Sequence, residues 1–310
     1  MIEVRNITKS YHSTPVVSNL SFSVAPGEVL VLLGPSGSGK TTTLKIINRL
    51  IEKDSGKIFI ESEDTDKLTP YELRRKIGYV IQSIGLFPHY TIEQNISIVP
   101  ELLGWNKTRI QNRVDSLLEM MNLPSSVKSR KPHELSGGQQ QRVGIARALA
   151  GGPSLILMDE PFGALDPITR QELQKEFKQL EGAINKAIIL VTHDIIEAMV
   201  LGDKICLLDE GKIQQIGTPK ELLFQPANKF VKEFFSQHKL QLELNAVTLQ
   251  DLSGFISLEG FDLPADLQPE ASLAECLMYT DKKASLQYNS LLKIYFNHRE
   301  VLISKFKESV

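Results

Sequence analysis

Gly34-Pro35-Ser36-Gly37-Ser38-Gly39-Lys40-Thr41 is the stretch from which the fold of this chain is read. It fits G-x-x-x-x-G-K-[ST], the pattern of a phosphate-binding P-loop. Its flanks agree. Val29-Leu30-Val31-Leu32-Leu33 is an unbroken apolar run of strand length, as a buried parallel strand requires, and residues 42–50 read as a helix. Strand, glycine loop and helix in this order bring backbone N–H groups and the positive end of a helix dipole to one point, which suits an anion. By this reading Gly34 through Thr42 line a phosphate site. Lys40 reaches the β- and γ-phosphates of a nucleotide, and the Thr41 hydroxyl ligates Mg2+.

Toward the N-terminus, Ile2, Val4 and Ile7 alternate with polar residues, Ser21-Phe22-Ser23-Val24 alternates again, and Pro26-Gly27-Glu28 turns into the P-loop strand. Tyr11 is either an ordinary strand aromatic or a platform for an adenine ring. Past the P-loop helix, strands are expected at 58–60 and 77–81 and a short helix at 71–76. Gln82 ends the second strand, at the sheet edge where α/β folds bind ligands. Residues 83–150 read as a helical insertion. One helix is predicted over 107–121, with Ile110, Val114, Leu117, Leu118 and Met121 at helical spacing. Another is expected to begin after Leu135-Ser136-Gly137-Gly138-Gln139 and to stop at Gly151-Gly152-Pro153. Three apolar strands follow: 155–158 ending in Asp159-Glu160, 187–192 ending in His193, and 204–208. Helices are predicted at 170–179, 194–200, 220–224 and 229–236. Beyond residue 236 there is no motif. Leu242, Leu244, Val247 and Leu249 suggest a strand, and 271–279 and 291–306 suggest helices.

Composition sets bounds. The chain is 42% hydrophobic and 23% charged with a formal net charge of −2, ordinary for a globular protein and without the basic excess of a nucleic-acid binder. No apolar run nears the roughly 18 residues needed to span a bilayer, and the first residues carry no signal-peptide core. Cys206 and Cys276 stand far apart and suggest neither a disulfide framework nor zinc, in keeping with a reducing cytosol.

Together these residues resemble the nucleotide-binding subunit of an ABC transporter, over residues 1–236. Leu135 to Gln139 looks like that family's signature sequence. Leu155-Ile156-Leu157-Met158-Asp159 resembles a Walker B strand, with Glu160 directly after it, and Gly163-Ala164-Leu165-Asp166 resembles the D-loop. Gln82 matches the Q-loop glutamine, His193 the switch histidine and Tyr11 the adenine-stacking aromatic. The resemblance implies an α/β fold: a P-loop NTPase cassette with a mixed β core, a helical subdomain at about 83–150, and a small C-terminal appendage at 237–310 with a packing or regulatory role. It implies ATP and Mg2+, with Thr41, Gln82 and Asp159 at the metal. Glu160 orients or deprotonates the attacking water, a role that Asp-Glu after an apolar strand favours over a capping carboxylate. His193 contacts the γ-phosphate. Ser136, Gly137, Gly138, Gln139 and Asp166 serve the nucleotide of the opposite subunit, so two copies of the cassette form a homodimer. Permease subunits and an extracytoplasmic solute-binding protein complete the complex, which holds the chain at the cytoplasmic face of the membrane. No nucleic acid is involved.

Ile84-Gly85-Leu86-Phe87-Pro88-His89, Thr91 to Ile96, Val99 to Trp105 and Gly163 to Arg170 are similar to importers of quaternary amines such as glycine betaine, choline and proline betaine. The alternative is import of another small polar solute, for example an amino acid. A non-transport ABC ATPase is disfavoured by the single cassette and the lack of heptads, and a GTPase by the lack of N-K-x-D. Leu86, Phe87 and Pro88 form an apolar loop expected to dock a cytoplasmic permease helix. Many such importers carry paired CBS domains. Pro269 to Leu277 resembles one CBS helix, with no CBS pattern after it.

Overall fold

The computed structural model describes residues 1–83, 85–253, 271–278 and 285–308. Ile84, the first residues of the CBS-like helix and the side chain of Leu291 lie outside what is described. The chain divides into two compact units, Met1–Ile213 and Gln214–Val310.

In chain order the first unit contains β1 (Ile2–Tyr11), β2 (Thr14–Val24), β3 (Val29–Leu33), α1 (Lys40–Ile47), β4 (Ser55–Ile60), β5 (Glu63–Asp64), α2 (Pro70–Arg75), β6 (Ile77–Val80), α3 (Ile92–Leu102), α4 (Lys107–Met120), α5 (Gly137–Leu149), β7 (Leu155–Asp159), α6 (Pro167–Ile184), β8 (Ala187–Val191), α7 (Ile195–Leu201) and β9 (Lys204–Asp209). β10 (Lys212–Gly217) spans the boundary. An antiparallel sheet runs β2-β1-β4-β5, and a six-stranded sheet runs β10-β9-β3-β8-β7-β6. The pairs β9/β3, β3/β8, β8/β7 and β7/β6 are parallel. Every residue of β3, β7 and β8 is buried, which is why each reads as a continuous apolar run rather than an alternation. Parallel pairing also sets the site. The carboxyl ends of β3, β8, β7 and β6 lie side by side, and they lead into the P-loop, His193, Glu160 and Gln82 respectively.

Helices α3, α4 and α5 form the expected helical insertion. The sequence reading assigns no helix over 92–102, where α3 runs with Pro100 inside it. There the Thr91 capping box with Gln94 and the buried Ile92, Asn95 and Ile96 outweigh the one hydrogen bond that the proline removes. α5 begins at Gly137, inside the motif expected to precede it. Ser136 is the N-cap, accepting from Gln139 N, while the Gln139 side chain accepts from Ser136 N. α1 stops at Ile47, short of residue 50, since Arg49 takes a left-handed backbone (φ 48). α6 is longer than the predicted 170–179.

The second unit holds α8 (Pro219–Phe224), α9 (Lys229–Phe234), α10 (Lys239–Ala246), α11 (Leu249–Ser253), α12 (Leu273–Met278) and α13 (Ser285–Glu308). The strand expected from Leu242 onward is instead the helix α10. Its buried residues, Leu242, Glu243 and Ala246, have helical spacing, and the period-two pattern of leucines was misleading because a polar residue, Glu243, faces inward. The boundary expected near residue 236 falls inside this unit. Phe224 shares one apolar cluster with Val247, Leu249, Leu252, Leu273, Cys276, Tyr295 and Leu302. Among the described residues no helix is long and apolar enough to cross a membrane, and both cysteines are buried.

Candidate nucleotide site

The P-loop backbone approaches its neighbours too closely for side chains at two positions. A Cβ on Gly34 (φ 149) would lie 2.1 Å from the Leu208 carbonyl oxygen, and one on Gly39 (φ 96) would lie 2.5 Å from that of Val16. Pro35, Ser36 and Gly37 are exposed, Ser38 is buried, and Thr42 is half-buried on α1. Lys40 is only 7% exposed, and its Nζ donates to the carbonyls of Gly34 (2.7 Å) and Pro35 (2.8 Å). The ammonium therefore stands within the loop. Burial pushes its pKa down, and the charges of Glu160 and Asp159 oppose that shift.

Thr41 Oγ1 donates to Asp159 Oδ1 at 3.1 Å, joining α1 to the end of β7. Burial raises the Asp159 carboxyl above its ordinary range; the Thr41 hydrogen bond works against this, and the Glu160 charge adds to it. A desolvated carboxylate beside a hydroxyl is a set of hard oxygen donors, and such a set fits Mg2+.

Glu160 has a left-handed backbone (φ 45), a conformation that costs a non-glycine residue about 1–3 kcal/mol. Its N–H donates to Val191 O at 2.9 Å, which anchors the turn to β8. Its two carboxylate oxygens take different partners: Gln82 Nε2 donates to Oε2 at 2.9 Å, and His193 Nδ1 lies 3.1 Å from Oε1. Thus Gln82, through a hydrogen bond, and His193, through its 3.1 Å approach, meet on Glu160, a hydrogen bond joins Thr41 to Asp159, and Lys40 feels the charge of both acids.

The other expected residues are not in this network. Tyr11 is 42% exposed, with Lys9 Nζ 5.5 Å from its ring centroid. Ser136 to Gln139 form the start of α5, packed on α6 so tightly that a Cβ on Gly138 would meet Thr169 Cγ2 at 2.7 Å. Asp166 caps α6 by accepting from Thr169 N at 3.1 Å, and hydrogen bonds from Thr169 hold its carboxyl below the usual range.

Several structuring residues carried no signal in the sequence. Asn95 is buried; its Oδ1 accepts from Phe87 N (2.8 Å), and its Nδ2 donates to the carbonyls of Phe87 (3.2 Å) and Thr91 (2.9 Å). It fixes a turn on which Phe87, 50% exposed, and Tyr90 present their rings 5.5 Å apart. Arg147 supports the same loop by donating to Gly85 O at 2.7 Å.

Residues 17–163 match the model of the ABC transporter family. The glycine betaine/carnitine/choline transport ATP-binding protein OpuCA of Bacillus subtilis (strain 168) is 54% identical over 241 residues, 77% of this chain and 63% of that protein. The glycine betaine uptake system ATP-binding protein YehX of Escherichia coli (strain K12) is 47% identical over 259 residues, 84% of this chain and 83% of the relative. The chain belongs to the ABC transporter family, among its ATP-binding proteins. It spans about 63% of the length of OpuCA. Among solved structures, a dimeric post-hydrolysis state of an ATP-binding cassette bound to ADP and Pi is similar at a TM-score of 0.62 and 34% identity, covering 70% of this chain and 98% of that one. The fold expected from the resemblance, an α/β P-loop cassette of the ABC type, is the fold found.

Proposed function

We propose that this chain is an ATPase which, as a cassette homodimer docked on permease subunits, drives uptake of an osmoprotectant such as glycine betaine or choline. The observation that carries the reading is the position of Glu160. It stands one residue past Asp159, with one oxygen on Gln82 and the other on His193.

In this reading the P-loop amides and Lys40 hold the β- and γ-phosphates, and Tyr11 stacks on adenine. Mg2+, held by Thr41, Asp159 and Gln82, would neutralise charge developing on the phosphate oxygens. Glu160 takes the proton of the attacking water, and His193 steadies Glu160 and contacts the γ-phosphate. Ser136, Gly137, Gly138, Gln139 and Asp166 serve the nucleotide of a second copy. Their placement at helix starts, apart from the Lys40–Glu160 network, supports that division. The Phe87 and Tyr90 rings, beside Leu86 and Pro88, offer the surface for a cytoplasmic permease helix. A solute-binding protein would deliver the cargo outside. The names of OpuCA and YehX support quaternary amines as cargo.

Glu160→Gln is expected to abolish turnover and leave ATP bound, so that an ATP-dependent dimer accumulates on gel filtration. Wild-type turnover in that variant would overturn the assignment. Cargo is tested by uptake in a deletion strain at high osmolarity. Loss of amino-acid uptake with betaine and choline uptake intact would move the cargo elsewhere.

A further inference from the structure

Arg170, on the first turns of α6, touches two loops at once. Its Nε donates to Phe162 O at 3.2 Å, and one terminal nitrogen faces Leu165 O at 3.0 Å and Gly163 O at 3.4 Å. The segment from Glu160 to Leu165 is itself tightly turned, with Gly163 N donating to Glu160 O and Leu165 N to Phe162 O. Its carbonyls thus converge on a single guanidinium. The other terminal nitrogen of Arg170 lies 3.8 Å from the Asp194 carboxylate, an ion pair rather than a hydrogen bond. Asp194 directly follows His193 and caps α7, accepting from Ile196 N at 2.9 Å and Glu197 N at 3.1 Å.

These contacts close a ring. Glu160 meets His193, His193 is joined to Asp194, Asp194 faces Arg170, and Arg170 holds the loop that begins at Glu160. We infer that Arg170 is a positioning residue for the Glu160–His193 pair, fixing the 162–165 loop against the turn that carries His193. The inference rests on the proposed hydrolysis at Glu160. Arginine suits the task because its planar fork presents several donors in fixed directions, whereas lysine offers one compact charge. Arg170 touches neither the P-loop nor Tyr11 through these bonds, so the link acts on the geometry of the chemical step and not on nucleotide affinity.

The test is steady-state ATP hydrolysis by the full chain carrying Arg170→Lys, Asp194→Asn, or both. Asparagine caps helices as well as aspartate does, so Asp194→Asn removes the charge and keeps the α7 cap. Each single variant is expected to lose on the order of tenfold in kcat with KM for ATP within about twofold. The double variant is expected to be no slower than the slower single one, because both break the same link. Additive losses, a raised KM with kcat unchanged, or wild-type kcat in Asp194→Asn would overturn the inference. Should Arg170→Lys fail to fold, Asp194→Asn decides alone. Glu160→Gln run alongside separates the two ideas: if it hydrolyses like wild type, the underlying reading has failed, and if it is inactive while the Arg170 and Asp194 variants match wild type, only the positioning role has.

Discussion

Glu197 lies on α7 at 4% exposure, with Thr192 Oγ1 donating to Oε2 at 2.7 Å and Oε1 without a hydrogen-bond partner among the described residues. Burial pushes its carboxyl up to about 7. The Thr192 hydrogen bond and the charges of Arg170 and His193 work against that shift, and Asp194 adds to it. The folded chain therefore holds this proton more tightly than the unfolded chain, whose carboxyl titrates near 4.5. The contribution to stability is present in full below pH 4.5 and is lost as pH rises to about 7, by up to on the order of 3 kcal/mol. Glu197→Gln stays neutral and is expected to flatten that part of the stability–pH curve in urea unfolding measured from pH 5 to 8. A slope equal to wild type would mean that Glu197 is ionised throughout. Nothing in Ile195-Ile196-Glu197-Ala198-Met199 distinguishes a buried glutamate from a solvated one, whereas Lys40, Thr41, Asp159, Glu160, Gln82 and His193 were legible. Each of those six stands in a motif next to an apolar strand, and the strand order brings them together. Arg170 and Asn95 act through backbone carbonyls of distant loops, a relation that spacing along the chain does not encode.

At the scale of elements, the strands were the most legible part. β3, β7 and β8 are buried on both faces, so runs of four or five apolar residues could be little else between turns. Helix starts were less so: α5 and its capping box begin within the glycine motif, and α3 tolerates Pro100. Ser136→Ala removes the α5 cap and is expected to lower stability by about 1 kcal/mol in chemical unfolding. The 87–91 turn depends on Asn95 more than on its own residues. Asn95→Ala leaves the Phe87 N–H without its acceptor and is expected to cost about 1–3 kcal/mol, again by urea unfolding. If Phe87 docks a permease helix, Phe87→Cys should crosslink to a cysteine on that helix, and Phe87→Asp should prevent co-purification of the permease. Undiminished co-purification would assign the docking surface to another element.

At the scale of the molecule, the second unit has a core of its own, pinned by one charge. Glu243 is 1% exposed; Tyr295 OH donates to it at 2.5 Å, and Arg299 donates through Nε at 2.8 Å and a terminal nitrogen at 2.6 Å. Arg299→Ala leaves the buried carboxylate with the Tyr295 hydroxyl and Lys239 Nζ at 4.0 Å, and is expected to cost the unit about 3 kcal/mol in thermal unfolding. A chain cut after Ser236 would keep Phe224 and lose the other seven buried members of its cluster, so insoluble protein is the expected result. Soluble, folded truncated protein would show that this core is dispensable. In the first unit β3, β8 and β7 each run between two parallel neighbours with no residue exposed. Their amides are the ones from which deuterium should be excluded longest, with or without added ATP. Label should enter sooner through 85–90, where Phe87 and Tyr90 are exposed on a turn that rests on Asn95, so exchange would set a fast loop against a slow sheet.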